Sequence, residues 1–95
     1  MNKLEILAEQ YPDDELLSAD GFEDAIIGVA YDKTTSVYRL VYSITLCIDI
    51  LMNRDKMTYE EAFEYFEFNV EGAYVGEKTP IWVDDEMLQI APEED

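Results

Sequence analysis

Residues 37–54 read VYRLVYSITLCIDILMNR, and the spacing of the apolar residues changes within them. Over residues 37–42 the side chains alternate. Val37, Arg39 and Val41 share one face of a strand, and Tyr38, Leu40 and Tyr42 share the other. From residue 44 the period becomes helical: Ile44, Cys47, Ile48 and Leu51 form one stripe, with Ser43 placed to cap it. A strand that runs directly into a helix over 44–54 is therefore expected. Upstream, AIIGVAYD is rich in β-branched residues and KTTS supplies a turn, so strand 25–31 should pair with 37–42. Strands joined by about five residues are antiparallel by necessity of reach.

Working outward, residues 57–82 read MTYEEAFEYFEFNVEGAYVGEKTPIW. Thr58 with Glu61 three residues on is a capping box, which predicts a helix over 59–71 that ends near Gly72 and Gly76. TPIWVDD supplies a last strand over 80–83, and residues 87–95 read as a fraying tail. At the other end Leu4, Ile6, Leu7 and Tyr11 give a short amphipathic helix that stops before Pro12, and residues through 19 form an acidic connection. The expected fold is α+β, one domain over 1–95. A small three-stranded antiparallel sheet is packed by two main helices, with a short N-terminal helix, in the order α-β-β-α-α-β.

Charge restricts function more than fold. Asp and Glu total 23 against six Lys and Arg, a formal net charge of −17. The excess is concentrated late: residues 55–95 hold thirteen acids and two bases. Such a field repels nucleic acid and anionic membranes, so direct contact with either is not expected. The partners it attracts are basic: nucleic-acid-binding proteins, polyamines, divalent cations. With 48% hydrophobic residues and 13% aromatic, the chain still has the means to build a core, unlike a disordered acidic tail.

Histidine is absent and Cys47 is the single cysteine, which removes disulfide scaffolding, common zinc sites and Cys–His or Ser–His catalysis. Cys47, inside ITLCIDILM, reads as a small buried hydrophobe. The DDE runs at Asp13–Glu15 and Asp84–Glu86 lack the ligand spacing of a calcium loop. GEKT lacks the glycine offset of a phosphate loop. No catalytic, cofactor-binding or metal set is expected.

What remains is a stripe. On a helical wheel at about 100° per residue, Tyr59, Ala62, Phe63, Phe66, Val70 and Ala73 gather on the expected core face. Glu60, Glu64, Glu67 and Glu71 fall within about 60° of one another on a flank. Tyr65 and Phe68 belong to neither set. Charge runs are usually solvated faces, yet here no lysine compensates. Like charges at i,i+4 destabilise a helix by about 0.2–0.5 kcal/mol per pair. Only Glu60 and Glu61 recover some of that from the helix N-terminus. Successive stripe residues rise about 5–6 Å along the axis, on the order of the phosphate spacing of a nucleic-acid strand. The stripe could therefore stand in for a short run of phosphates. Tyr65, Tyr74 and Trp82 are aromatics near this charged rim, where they could anchor a partner or cover the core.

DGFEDAIIG, MTYEEAFEYFEFN and GAYVGEKTPIW, together covering about residues 20–83, resemble the motifs of a family of short, uncharacterised proteins encoded by tailed bacteriophages and related prophages. The N-terminal helix and acidic tail of this chain depart from that pattern. The family carries no activity that transfers. The resemblance implies a phage origin and action in the bacterial host cytoplasm, in keeping with the lack of a signal peptide or spanning segment.

Three functions follow as expectations. The first is a non-enzymatic protein that binds and inhibits a basic host protein by nucleic-acid mimicry, through Glu60, Glu64, Glu67 and Glu71 with Tyr65, Tyr74 and Trp82 as anchors. The second is an accessory module that assembles with another phage protein, with a homodimer also open. The third is a small carboxylate-based enzyme.

Overall fold

The computed structural model describes residues 2–72, 76 and 78–86. The element order is α1 (Lys3–Gln10), a 3₁₀ turn (Glu23–Ala25), β1 (Ile26–Asp32), β2 (Val37–Ser43), α2 (Ile44–Arg54), α3 (Tyr59–Phe66), a π-helical segment (Glu67–Glu71) and β3 (Ile81–Val83). This is the expected α+β class in the expected order, with the 3₁₀ turn and the π-helical segment added.

β1 and β2 form the predicted antiparallel hairpin, with Val29 opposite Leu40 and Tyr31 opposite Tyr38. Asp32 builds the turn. Its Oδ1 accepts the Thr34 N–H at 2.9 Å, and its carbonyl accepts the Ser36 N–H at 2.7 Å. The Thr34 bond in particular holds its carboxyl below the usual carboxylate range. A bulge between Ile26 and Gly28 interrupts the ladder on this edge strand.

The sheet order is β1-β2-β3, but β3 runs parallel to β2, with Trp82 beside Tyr42. The wholly antiparallel sheet expected from sequence is therefore corrected to a mixed one. The reason is the connection. A parallel pair needs a crossover of a dozen or more residues, usually helical, and α2 with α3 supplies it. A five-residue connection forces the hairpin strands to run antiparallel, whereas strands as far apart in sequence as β2 and β3 are free to run either way.

α2 follows β2 without a loop, because Ser43 ends the strand and caps the helix, its Oγ accepting the Leu46 N–H at 3.0 Å. Cys47, Ile48 and Leu51 are buried along its inner stripe, as expected, and Ile44 is half-buried. Its last residue, Arg54, donates to the Gly21 carbonyl at 2.9 Å and lies over the Phe22 ring, 5.3 Å from the centroid. Gly21 has φ +88°, a conformation that favours glycine, and the Arg54 guanidinium closes over it, 2.8 Å from where a Cβ would stand.

The core is one cluster in which Phe22, Ile26, Leu40, Tyr42, Cys47, Leu51, Ala62 and Phe66 are buried together. Tyr42 is 0% exposed, and its hydroxyl oxygen accepts the Ala19 N–H at 2.7 Å, which fastens the acidic connection to β2. Among the described residues, no helix is long and apolar enough to cross a membrane.

Candidate functional site

α3 begins as predicted. Thr58 Oγ1 accepts the Glu61 N–H at 3.2 Å, and the Glu61 carboxylate accepts the Thr58 N–H at 2.9 Å. It does not continue as a regular α-helix to residue 71. From Glu67 the chain takes a π turn, which closes on the fifth residue instead of the fourth. Asn69 accounts for this locally, because its side-chain amide donates to the Tyr65 carbonyl at 3.2 Å, the group that its backbone N–H would bond in an α-helix.

The π turn also serves packing. A regular helix drifts about 40° every four residues, so Val70 would stand about 80° away from Ala62. The wider turn recovers part of that drift, and Ala62, Phe66 and Val70 are all buried. Gly72 permits the close return: a Cβ there would meet the Glu67 carbonyl at 3.1 Å.

Glu60, Glu64 and Glu67 are exposed, and among the described residues none takes part in an ion pair. The bases that do pair are elsewhere: Arg39 with Asp32 at 2.9 Å, and Arg54 with its neighbour Asp55 at 3.1 Å. Because of the π turn, the regular wheel that aligned Glu71 with the other three does not apply beyond Phe66. The Glu71 side chain, Ala73 and Tyr74 lie outside the described residues.

The two described aromatics of the expected site differ in setting. Tyr65 is 41% exposed, but on the wheel it stands about 100° beyond Glu64, on the side away from Glu67. Trp82 is half-buried and packs edge-on against Phe66, with centroids 5.4 Å apart, and against Tyr42 at 4.9 Å. It covers the core.

Tyr59 and Phe63, expected in the core, are corrected to surface residues at 56% and 39% exposure. Their rings lie 6.1 Å apart at 26°. The buried line of α3 is narrower than the wheel implied, because among the described residues no element packs over that flank. Phe68, in the π turn, is 83% exposed. Sequence reasoning assigned neither pair member nor Phe68 to a site. Phe68 falling off both faces of the wheel was the available signal.

Tyr59 and Phe63 border a cleft of about 350 Å³ between α2, α3 and the residues after β3. Ile44, Ile48 and Phe66 form its apolar floor, and Asp49, Glu67, Asp84 and Glu86 stand around it. Between the last two, Asp85 turns inward and is 5% exposed. Among the described residues, no group of three or more His, Cys, Asp or Glu is arranged to hold a metal ion. Cys47 is buried, and burial foremost, with Asp85 nearby, pushes its thiol up to about 12.

The site that results is an exposed carboxylate flank on α3, a stacked aromatic pair beside it, and an acid-rimmed apolar cleft beneath. Such a surface brings negative charge and apolar area together. Comparison with known proteins finds no matching family model, no matching curated protein and no matching solved structure.

Proposed function

We propose that this chain is a non-enzymatic binding protein that engages the basic surface of a nucleic-acid-handling protein and occupies it in place of nucleic acid. The observation that carries the reading is the flank of α3. Glu60, Glu64 and Glu67 are exposed and unpaired there, on a chain of net charge −17. A field of that sign raises the encounter rate with cationic surfaces and excludes nucleic acid itself. The resemblance to short phage proteins supports a bacterial host protein as the partner, and occupation of its nucleic-acid surface would inhibit it.

The test is competition. A captured partner should be released by DNA or RNA and by added salt, and it should not be retained by the Glu64→Lys, Glu67→Lys variant. Retention by that variant, or indifference to nucleic acid, would overturn mimicry.

Assembly with another phage protein or with a second copy has its own support. Ile6, Ile27 and Tyr31 are 43%, 46% and 50% exposed around the free edge of β1. Exposed apolar residues on an edge strand favour pairing with another chain. Sedimentation of Ile27→Lys beside the wild type tests it, since loss of a larger species in the variant is the expected result.

A further inference from the structure

The carboxylate flank explains attraction, but it does not fix a register. Point charges at an exposed surface are screened beyond roughly 8–10 Å and tolerate sliding. The cleft beside the flank has a different chemistry. Ile44 and Ile48 line its floor, Tyr59 and Phe63 its wall, while Asp49, Glu67, Asp84 and Glu86 supply negative charge around it. No lysine or arginine is among its lining residues. Two requirements are thereby placed on an occupant. It must bring apolar surface to the floor, and cationic groups close enough to meet the rim.

A nucleic-acid strand fails the second requirement, and a neutral apolar molecule leaves the rim unused. A basic peptide segment carrying a large apolar side chain meets both. The volume, about 350 Å³, is at the lower end of ligand clefts, enough for one such side chain and its neighbours.

We propose that this cleft is the anchoring site for a single aromatic or large aliphatic side chain presented on a lysine- or arginine-rich segment of the partner. The proposal rests on the reading of the chain as a binder of basic proteins and adds the contact that sets register. Glu67 belongs both to the stripe and to the cleft, so the stripe leads directly into the anchor site. Charge then governs the association rate, and burial of the anchor on Ile44, Ile48 and Phe63 governs the dissociation rate.

The test uses two short fluorescein-labelled lysine–alanine peptides, alike except that one has a central phenylalanine and its twin an alanine. The phenylalanine peptide should bind the full chain about tenfold or more tightly than its twin, as expected for burial of a large side chain. In spectra of isoleucine-methyl-labelled protein it should shift Ile44 and Ile48 and leave Ile6 and Ile27 in place. Asp84→Lys with Glu86→Lys should weaken both peptides. Phe63→Ala, checked by thermal melt, should bring the two affinities together.

Equal affinity of the peptides for the wild type, or shifts at Ile6 and Ile27 instead, overturns the anchor site. If equal binding remains salt-sensitive and is lost in Glu60→Lys, Glu64→Lys, two stripe positions that do not line the cleft, the acidic flank stands and only the cleft falls. If the Glu60→Lys, Glu64→Lys variant binds as well as the wild type while the tenfold preference persists, the flank falls and the cleft stands. Shifts of Ile44 and Ile48 on dilution of the protein alone would assign the cleft to a second copy. A preference that emerges only after removal of residues 87–95 would assign it to the chain's own C-terminal segment. Either result overturns the proposal.

Discussion

The Asp85 carboxylate accepts the Thr45 N–H at 3.4 Å, joining the exit of β3 to the first turn of α2. Burial pushes this carboxyl upward, but hydrogen bonds from the Ser43 and Thr45 hydroxyls and the Thr45 N–H outweigh it and hold the group below its ordinary value. A negative charge there also meets the positive end of α2. With Asp85 drawn inward, Asp84 and Glu86 on either side are exposed at the cleft. The central acid of a three-acid run is thus structural, and its neighbours face solvent at the cleft, with Asp84 Oδ1 accepting the Glu86 N–H at 3.3 Å.

Asp85→Asn should lower stability at neutral pH by about 1.5–3 kcal/mol, the range for hydrogen bonds to a charged group. The native carboxyl titrates below the unfolded one, so its contribution is complete above the unfolded aspartate value of about 3.9 and is lost as pH falls through the lower native value. The gap in melting temperature between wild type and variant should therefore shrink from pH 7 to pH 3. A gap constant across that window would show that Asp85 is not charged in the fold.

Phe66→Ala should cost about 3–5 kcal/mol, since Phe66 is 1% exposed and supports the Trp82 ring edge-on. Urea unfolding followed by the emission of Trp82, the chain's only tryptophan, reads both effects at once. An unchanged midpoint would mean that the inner face of α3 is wrongly assigned.

Glu64→Lys with Glu67→Lys should leave the fold intact or slightly stabilised. The first substitution replaces the Glu60–Glu64 repulsion with an opposite-charge i,i+4 pair worth about 0.2–0.5 kcal/mol. Association with a basic partner should slow, and the salt dependence of binding should flatten. Thermal melts beside stopped-flow association at two salt concentrations separate these effects. Unchanged association would return the flank to an ordinary solvated surface.

Cys47 should be inert in the native protein. With its thiol pushed up to about 12, almost no thiolate is present at pH 8, and the side chain is 0% exposed. A thiol reagent with a chromophoric leaving group should react only when urea is added. Rapid native-state labelling would show that α2 opens locally.

Most of the local structure was legible in the residues. Ser43 marks the passage from strand to helix because its hydroxyl can cap what its backbone ends. Thr58 and Glu61 fix the start of α3 by the same means. Alternation through Leu40 and Tyr42, and helical spacing through Cys47, Ile48 and Leu51, identify the faces that become buried. These are short-range relationships, and a chain carries them wherever it folds. The excess of acids and the lack of histidine are likewise complete in the sequence, and so are the classes of partner that they disfavour.

Tertiary structure decided what depended on residues distant along the chain. The direction of β3 follows from how α2 and α3 cross back over the sheet, and three strand residues carry no mark of it. Tyr59 and Phe63 have the spacing of core residues and are exposed because, among the described residues, no element packs on that flank. Trp82 has the character of an interface anchor and covers the core because β3 places it against Tyr42 and Phe66. The π turn at Glu67–Glu71 holds Val70 in the buried line at the expense of a regular wheel. Asp85 shows the same division most simply. Its charge is written in the sequence, but only the closing of β3 onto α2 brings Thr45 close enough to hold it, since the two residues are forty apart along the chain.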